Sequence, residues 1–350
     1  METTIINPTI AETITETINE ITNETISEIT NETINELTTT TTTKPMIIGD
    51  RMKLYEKVYE AKIPPYQAFI IRLDGKNFSK FTNGFKKPFD SLFTSAMIQT
   101  ANDLTTKFNP TTGYTHSDEI TLIFPPACTK EEYDTKQNKS THLFDGRVCK
   151  LCSVLAGYCT ARFNWYITYY VDSNKRYYTQ QFLNKIASCE TCFDARIVDI
   201  PYTKEYEIVN HMIWRSVQDC YRNCVQTYAY YHLGKKTTFK KHCGEMVEIM
   251  KENGFDFESS VPHYLKHGVY CKKELYEKTD LANNITNNNN NNTTIVVRQR
   301  IKNISLKIHN SDLMRNFLTS KNLPTDLNEL NETIYNIRVD LLGNILDSQH

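Results

Sequence analysis

The stretch that most constrains the fold is Phe69 to Phe81, FIIRLDGKNFSKF, together with its echo Tyr114 to Phe124, YTHSDEITLIF. In each, an apolar run that reads as a buried strand carries carboxylates at one end. Asp74 leaves the first strand at an Asp-Gly break, and Asp118 and Glu119 stand at the start of the second. Such carboxylates are costly to bury unless they are paired or bound to metal. The pattern therefore predicts a divalent-cation site of hard oxygen ligands, with Mg²⁺ as its natural occupant. Taken singly, each acid also has a plain structural reading: Asp74 as a turn cap, Asp118 as an edge charge.

The surrounding periodicity predicts an α+β fold. A leading helix covers Met52 to Glu60, a strand Ala68 to Leu73, and a long amphipathic helix Phe89 to Phe108. The strand pair around Asp118 comes next, then a helix from about Phe144 to Phe163, a strand in Asp194 to Ile200 and a long helix from Asn210 to Tyr231. Strand, helix, two strands, helix, strand is the order of a ferredoxin-like (split βαβ), palm-type antiparallel sheet. Helices are expected on one face of it, with a C-terminal helical part.

Composition divides the chain. Residues 16 to 39 repeat an eight-residue unit, ETINEITN, and run into a Thr tract, so 1–45 is expected to be a low-complexity, disordered tail. Residues 276–295, with the run Asn287 to Asn292, read as a disordered insertion between a catalytic region at 46–275 and a C-terminal extension at 296–350. Eight of the 41 acidic residues lie in the first 43 positions, which contain no basic residue. The remainder carries all 40 Lys and Arg and so a surplus of seven positive charges, which suits a polyanion such as RNA. Ten cysteines without an apolar signal segment imply reduced thiols and a cytoplasmic protein, and no apolar run is long enough to span a bilayer. The pairs Cys149/Cys152 and Cys189/Cys192 have zinc-ribbon spacing within each pair, but 36 residues separate them and the first lies at core spacing in a helix.

Five motifs, RLDGKNFSKFT (Arg72 to Thr82), Lys87-Pro88, HSDEITLIF (His116 to Phe124), FDARIVDIP (Phe193 to Pro201) and WRSVQDCYRNCVQ (Trp214 to Gln226), occur in the order and at the spacing of the tRNA-His guanylyltransferase family. The resemblance covers about Asp50 to Lys273. It implies a nucleotidyltransferase that adds nucleotides to the 5′ end of tRNA, with two Mg²⁺ ions held by Asp74, the Gly75 carbonyl and Asp118, and with Glu119 as a further metal or orienting acid. It also implies an NTP site, for GTP and ATP among others, formed by Asp74, Gly75, Lys76, Asn77, Phe78, Ser79, Lys87, Ser117, Asp118, Arg147, Lys150 and Asn223. Similar proteins form homotetramers. Where eukaryotic members carry His-Ile-Asn-Asn, this chain has Tyr221, Arg222, Asn223 and Cys224, and so resembles the bacterial and archaeal branch that repairs truncated 5′ ends against the opposite strand as template. Addition of the extra G to tRNA-His, and a non-catalytic tRNA-binding module, are the other readings.

Overall fold

A computed structural model describes residues 46–281 and 293–349, apart from 326 and 331. The Thr-rich tail and residues 282–292 of the Asn-rich insertion lie outside the described residues. Two units are present. The first ends at Tyr59 and contains helix α1 (Ile48–Lys57), which has no buried residue and carries a Lys53–Asp50 ion pair at 3.1 Å.

The second unit is built on one eight-stranded antiparallel sheet in the order β4-β1-β3-β2-β5-β6-β7-β8. Its strands are β1 (Phe69–Gly75), β2 (Thr112–His116), β3 (Glu119–Phe124), β4 (Phe193–Asp199), β5 (Val269–Leu281), β6 (Thr293–Ser305), β7 (Tyr335–Val339) and β8 (Ile345–Gln349). The first four reproduce the split βαβ arrangement expected from the sequence, and the α+β palm-type architecture stands. A short helix α2 (Phe78–Phe81) follows β1, and α3 (Ser91–Phe108) joins β1 to β2. Helix α3 begins after Asp90, whose carboxylate accepts from the Leu92 N–H at 2.8 Å and so satisfies one of the orphan donors of the first turn. Helix α4 (Val148–Ser173) joins β3 to β4.

Strand alternation sorts β1 between two cores. Phe69, Ile71 and Leu73 pack with α3 and α4 on one face, through Ala96, Met97, Leu155 and Phe163 among others. Ile70 points to the opposite face, where it joins Ile123 of β3, Ile208, Val209 and Met212 of the helix Glu207–Met212, and Met314, Phe317 and Leu318 of another helix. The Glu207–Met212 helix passes through a π-helical stretch, Ile213–Asp219, into α5 (Cys220–Thr238); the helix that carries Met314 is α6 (Asp312–Thr319). Helices therefore cover both faces, a correction to the one-face expectation. The reason is that Ile70 and Ile123 are as apolar as their neighbours, so the second face also needs a cover.

The C-terminal region differs from expectation too. It adds four strands to the same sheet, and α6 accompanies β6–β8 where a helical part was expected. Pairing runs out to Leu281 and back from Thr293, so the β5–β6 hairpin extends into both margins of the region that composition marks as an insertion.

Candidate active site at the carboxylate end of the sheet

At the C-terminal end of β1 the second face turns from apolar to charged. In the register, Asp74 lies opposite Glu119 of β3 and Asp194 of β4, and one step back Arg72 lies opposite Thr121 and Arg196. A row of three acids across adjacent strands is repulsive by itself. Arginines offset it. Arg72 lies 3.3 Å from Asp74 and 3.7 Å from Glu119, while Arg196 lies 3.8 Å from Asp74 and 3.4 Å from Asp194. A third, Arg215, comes from the π-helical stretch; it is buried, donates to Glu119 and lies 2.9 Å from Asp219.

Asp118 is different. It is the second residue of the two-residue turn between β2 and β3, half-buried, and among the described residues it has no ion-pair partner. Its Oδ1 accepts from the Ser117 hydroxyl, at 3.0 Å. Burial raises its pKa, with the charge of Asp74 adding to the shift and hydrogen bonds from the backbone and Ser117 opposing it. A desolvated carboxylate beside a second carboxylate, with unused lone pairs and no cation, is a donor set that fits a hard divalent ion. The turn itself is held tightly: the Gly75 N–H donates to the Asp118 carbonyl at 3.1 Å, and Ser117 has a φ of +47°. Only glycine fits at position 75, because a Cβ there would stand 2.4 Å from the Phe78 ring.

The loop after Gly75 is partly used by the fold. The Lys76 N–H donates to the Cys192 carbonyl at 2.9 Å, and the buried Phe78 ring packs among Phe81, Phe93, Phe163 and Phe193. Phe78 can therefore serve a ligand only through its backbone. The N–H groups of Asn77, Phe78 and Ser79 have no acceptor among the described residues, and Asn77 sits at a φ of +60°, which turns the chain so that they open α2. Consecutive free N–H groups after a turn suit an anion.

Beside the Ser117 turn is a cleft of about 200 Å³ lined by Lys87, His116, Ser117 and Thr227. A neighbouring cleft of about 320 Å³ shares Lys87 and Thr227 and adds Asn223, Gln226, Tyr230 and Tyr231. Lys87, Ser117 and Asn223, far apart in sequence, thus line adjoining hollows. Of the tetrad at 221–224, Tyr221 donates to Glu258 at 2.5 Å, Arg222 pairs with Asp219 and Cys224 is buried in the core, which leaves Asn223 facing the hollow.

Arg147 and Lys150, which the resemblance assigns to the same site, lie apart from this group within the subunit. β3 runs away from the Asp118 turn, and the connection after it is tied to the segment that leads into β1, where the Ile63 N–H donates to the Gly146 carbonyl at 3.0 Å and His142 hydrogen-bonds with the Pro64 and Gln67 carbonyls. Arg147 precedes α4 there; it lies 3.7 Å from Glu60 and donates to the Phe144 carbonyl, while the exposed Lys150 stands over the Phe144 ring at 5.5 Å. Along β1 that separation is on the order of 20 Å.

Among the described residues, the His/Cys/Asp/Glu group close enough to share an ion is His116, Glu119 and Asp219, and neither CxxC pair belongs to it. Arg215 already bridges Glu119 and Asp219, and burial together with Arg215 and Arg72 holds His116 neutral, its pKa pushed down to about 3. That trio is filled by a guanidinium, whereas Asp74 and Asp118 retain unused oxygen. The residues that sequence reasoning missed are Arg72, Arg196, Arg215 and Asp219. Strand alternation could have found Arg72, which shares a face with Asp74, and helical spacing the i, i+4 pair Arg215 and Asp219.

A family-wide sequence profile described as tRNAHis guanylyltransferase matches residues 49–201. An uncharacterized protein of Acanthamoeba polyphaga mimivirus is 40% identical over 279 residues, 80% of this chain and 91% of its own. The tRNA(His) guanylyltransferase of Neurospora crassa is 25% identical over 226 residues, covering 63% of this chain and 67% of that one. Among solved structures, a bacterial tRNA(His) guanylyltransferase-like protein in complex with ATP superimposes with a TM-score of 0.53 at 27% identity, over 65% of this chain and 88% of its own. Among the described residues no helix is long and apolar enough to cross a membrane. The chain belongs to the tRNAHis guanylyltransferase-like family of nucleotidyltransferases.

Proposed function

We propose that the protein adds nucleotides to the 5′ end of tRNA in the 3′-to-5′ direction, Mg²⁺-dependent and directed by the opposite strand of the acceptor stem. The observation that carries this reading is the pair Asp74, at the end of β1, and Asp118, in the turn that leads into β3: two carboxylates that feel each other's charge, of which Asp118 has no cation partner among the described residues. Two Mg²⁺ ions held by Asp74, the Gly75 carbonyl and Asp118 would supply activation of the attacking 3′-hydroxyl and screening of the leaving pyrophosphate. The chain's own groups do the rest. The Asn77, Phe78 and Ser79 N–H groups cradle the triphosphate, and Lys87 and Asn223 line the hollows beside it. Arg215 holds Glu119 in place, which makes Glu119 a positioning residue in this reading.

Template direction is proposed because the tetrad leaves only Asn223 facing the hollow, too little to read one particular base. Selection then comes from pairing geometry, since a mispaired 3′-hydroxyl sits off line and small displacements cost orders of magnitude in rate. The test supplies Mg²⁺ and each NTP in turn to truncated tRNAs that differ in the unpaired template base. Addition of the complementary nucleotide is expected. Addition of G whatever the template, or extension of tRNA-His alone, would favour the guanylyltransferase activity, and binding without extension a non-catalytic module. We also propose a homotetramer, because one subunit with this modest basic surplus would hardly enclose an acceptor stem. A monomer by light scattering at micromolar concentration would overturn that.

A further inference from the structure

Helix α5 packs one side into the core and turns the other outward. Cys224, Val225, Tyr228 and Ala229 face inward, where the Tyr228 ring meets Phe255 and Phe257. Asn223, Gln226, Thr227 and Tyr230 follow one another at spacings that keep them on one side of the helix, and they form an outward stripe with Tyr231 at its margin. The stripe starts beside the candidate active site, because the hollow it lines shares Lys87 and Thr227 with the cleft next to Ser117. From Asn223 to Gly234 it runs for roughly 16 Å. Gly234, at a φ of +78°, then breaks the helical turn, and the chain beyond it carries Lys235, Lys236, Phe239, Lys240 and Lys241.

Charge and exposure together point to a polyanion that carries flat rings. Between Asp219 and Glu245 the chain has no acid and five bases, of which only Arg222 has a carboxylate partner among the described residues, Asp219. A face that merely keeps a protein in solution mixes the two signs. The aromatic rings are open as well: Tyr230 is 49% exposed, Tyr231 47% and Phe239 67%. Tyr230 and Tyr231 meet edge to face, with centroids 5.1 Å apart and planes at 85°, and Lys240 Nζ stands 5.5 Å from the centre of the Phe239 ring. Lysines beside exposed rings suit single-stranded nucleic acid, since the charges track phosphate and the rings stack on bases of any sequence. A duplex has its bases already stacked and offers the tyrosines nothing.

We propose that the outward stripe of α5 and the lysines beyond Gly234 bind the unpaired 3′ strand at the acceptor end of the tRNA. The inference rests on the template-directed reading above. A nucleotide that enters opposite an unpaired template base has beside it a strand that continues single-stranded past the last pair. With the template base at the Ser117 cleft, the nucleotides that follow it reach Asn223 and Thr227, stack on Tyr230 and Tyr231 and turn their phosphates toward Lys235 and Lys236.

The test measures binding of the full chain, without NTP, to two fluorescent hairpins that copy a 5′-truncated acceptor stem, one with its 3′ overhang and one trimmed flush. The overhang is expected to tighten binding about tenfold in the wild type, and Tyr230→Ala combined with Tyr231→Ala should abolish that gain. Tyr230→Phe combined with Tyr231→Phe keeps the rings and should retain it. Lys235→Gln combined with Lys236→Gln should reduce the dependence of log Kd on log salt by about 1.4 on the overhang hairpin. All four side chains are exposed, so these substitutions spare the core. Equal binding of the two hairpins, no binding of either, or an overhang gain that survives the alanine substitutions would overturn the proposal. A changed oligomeric state of the alanine variant with its overhang gain intact would also overturn it, and would make the stripe a contact between copies of this chain. Nucleotide addition to the overhang hairpin is read separately: addition without an overhang gain removes this surface and keeps the activity, and an overhang gain without addition does the reverse.

Discussion

Asp118 and Lys272 are both charged groups withdrawn from water on the same sheet, and they have opposite surroundings. Asp118 has one hydroxyl donor and no cation. Lys272, fully buried on β5, donates its Nζ to the carbonyls of Thr111, Phe317 and Ser320 and to the Thr112 hydroxyl, all between 2.7 and 3.0 Å. The Lys272 charge is answered from within the chain, and the groups that answer it belong to the end of α6 and the start of β2. It ties the C-terminal strands and helix to the palm. The Asp118 charge is not answered from within, so its partner has to come from outside. A buried charge that is satisfied internally is a structural tie, and one left short of partners marks a site.

The largest effect expected from this contrast is on catalysis. Asp74→Ala and Asp118→Ala should each lower incorporation of labelled nucleotide on the order of a thousandfold or more, since several kcal/mol of charge stabilisation would be lost. Asp118→Ala should not lower the melting temperature, because it removes a desolvated carboxylate that has no cation partner, whereas Asp74→Ala also takes a partner from Arg72 and Arg196 and should cost some stability. A substantially less stable Asp118→Ala protein would mean that Asp118 is a structural charge and would dissolve the contrast.

Lys272→Met should behave the other way. Three carbonyls and a hydroxyl lose their donor, which destabilises the fold by about 3 kcal/mol, read as a shift in the urea midpoint. Nucleotide addition measured well below the melting temperature should persist.

The same lysine predicts a smaller, pH-dependent effect. Burial, with Lys273 nearby, pushes the Lys272 pKa down to about 7. In the unfolded chain it titrates near its ordinary value, so between about pH 7 and 10 the unfolded state binds more protons. The lysine's contribution to stability therefore rises with pH across that window and is flat below it. The stability difference between wild type and Lys272→Met should widen from pH 7 to pH 9, by at most about 1.4 kcal/mol per pH unit. A difference that narrows with rising pH would show that the four oxygens hold the ammonium form more strongly than burial disfavours it.

How much of this was legible in the sequence follows from what kind of signal each feature leaves. The first four strands, and the placing of Asp74 and Asp118 at one end, were legible because apolar runs and an Asp-Gly break are local signals. Arg147 and Lys150 were assigned to the nucleotide site by the resemblance alone, and nothing in the local sequence says at which end of the sheet their helix begins. Lys272 could not be found at all. In the run KKELYEK a lysine reads as solvated, and its four acceptors come from segments as distant as Thr111 and Ser320.

The finest test concerns how Asp118 is held in place. Ser117 combines a donor to Asp118 with a φ of +47°, a conformation that costs a non-glycine residue about 1 kcal/mol. Ser117→Ala removes the hydroxyl and keeps the strain; Ser117→Gly removes both, although glycine's extra freedom in the unfolded chain offsets part of the gain. If the hydroxyl alone sets the carboxylate, both variants should lose the same severalfold in kcat, and Ser117→Gly should exceed Ser117→Ala in stability by a few tenths to about 1 kcal/mol in urea unfolding. If Ser117→Gly loses much more kcat than Ser117→Ala, the turn's stiffness is what aims Asp118. The unanswered charge would then depend on stored backbone strain as well as on its missing partner.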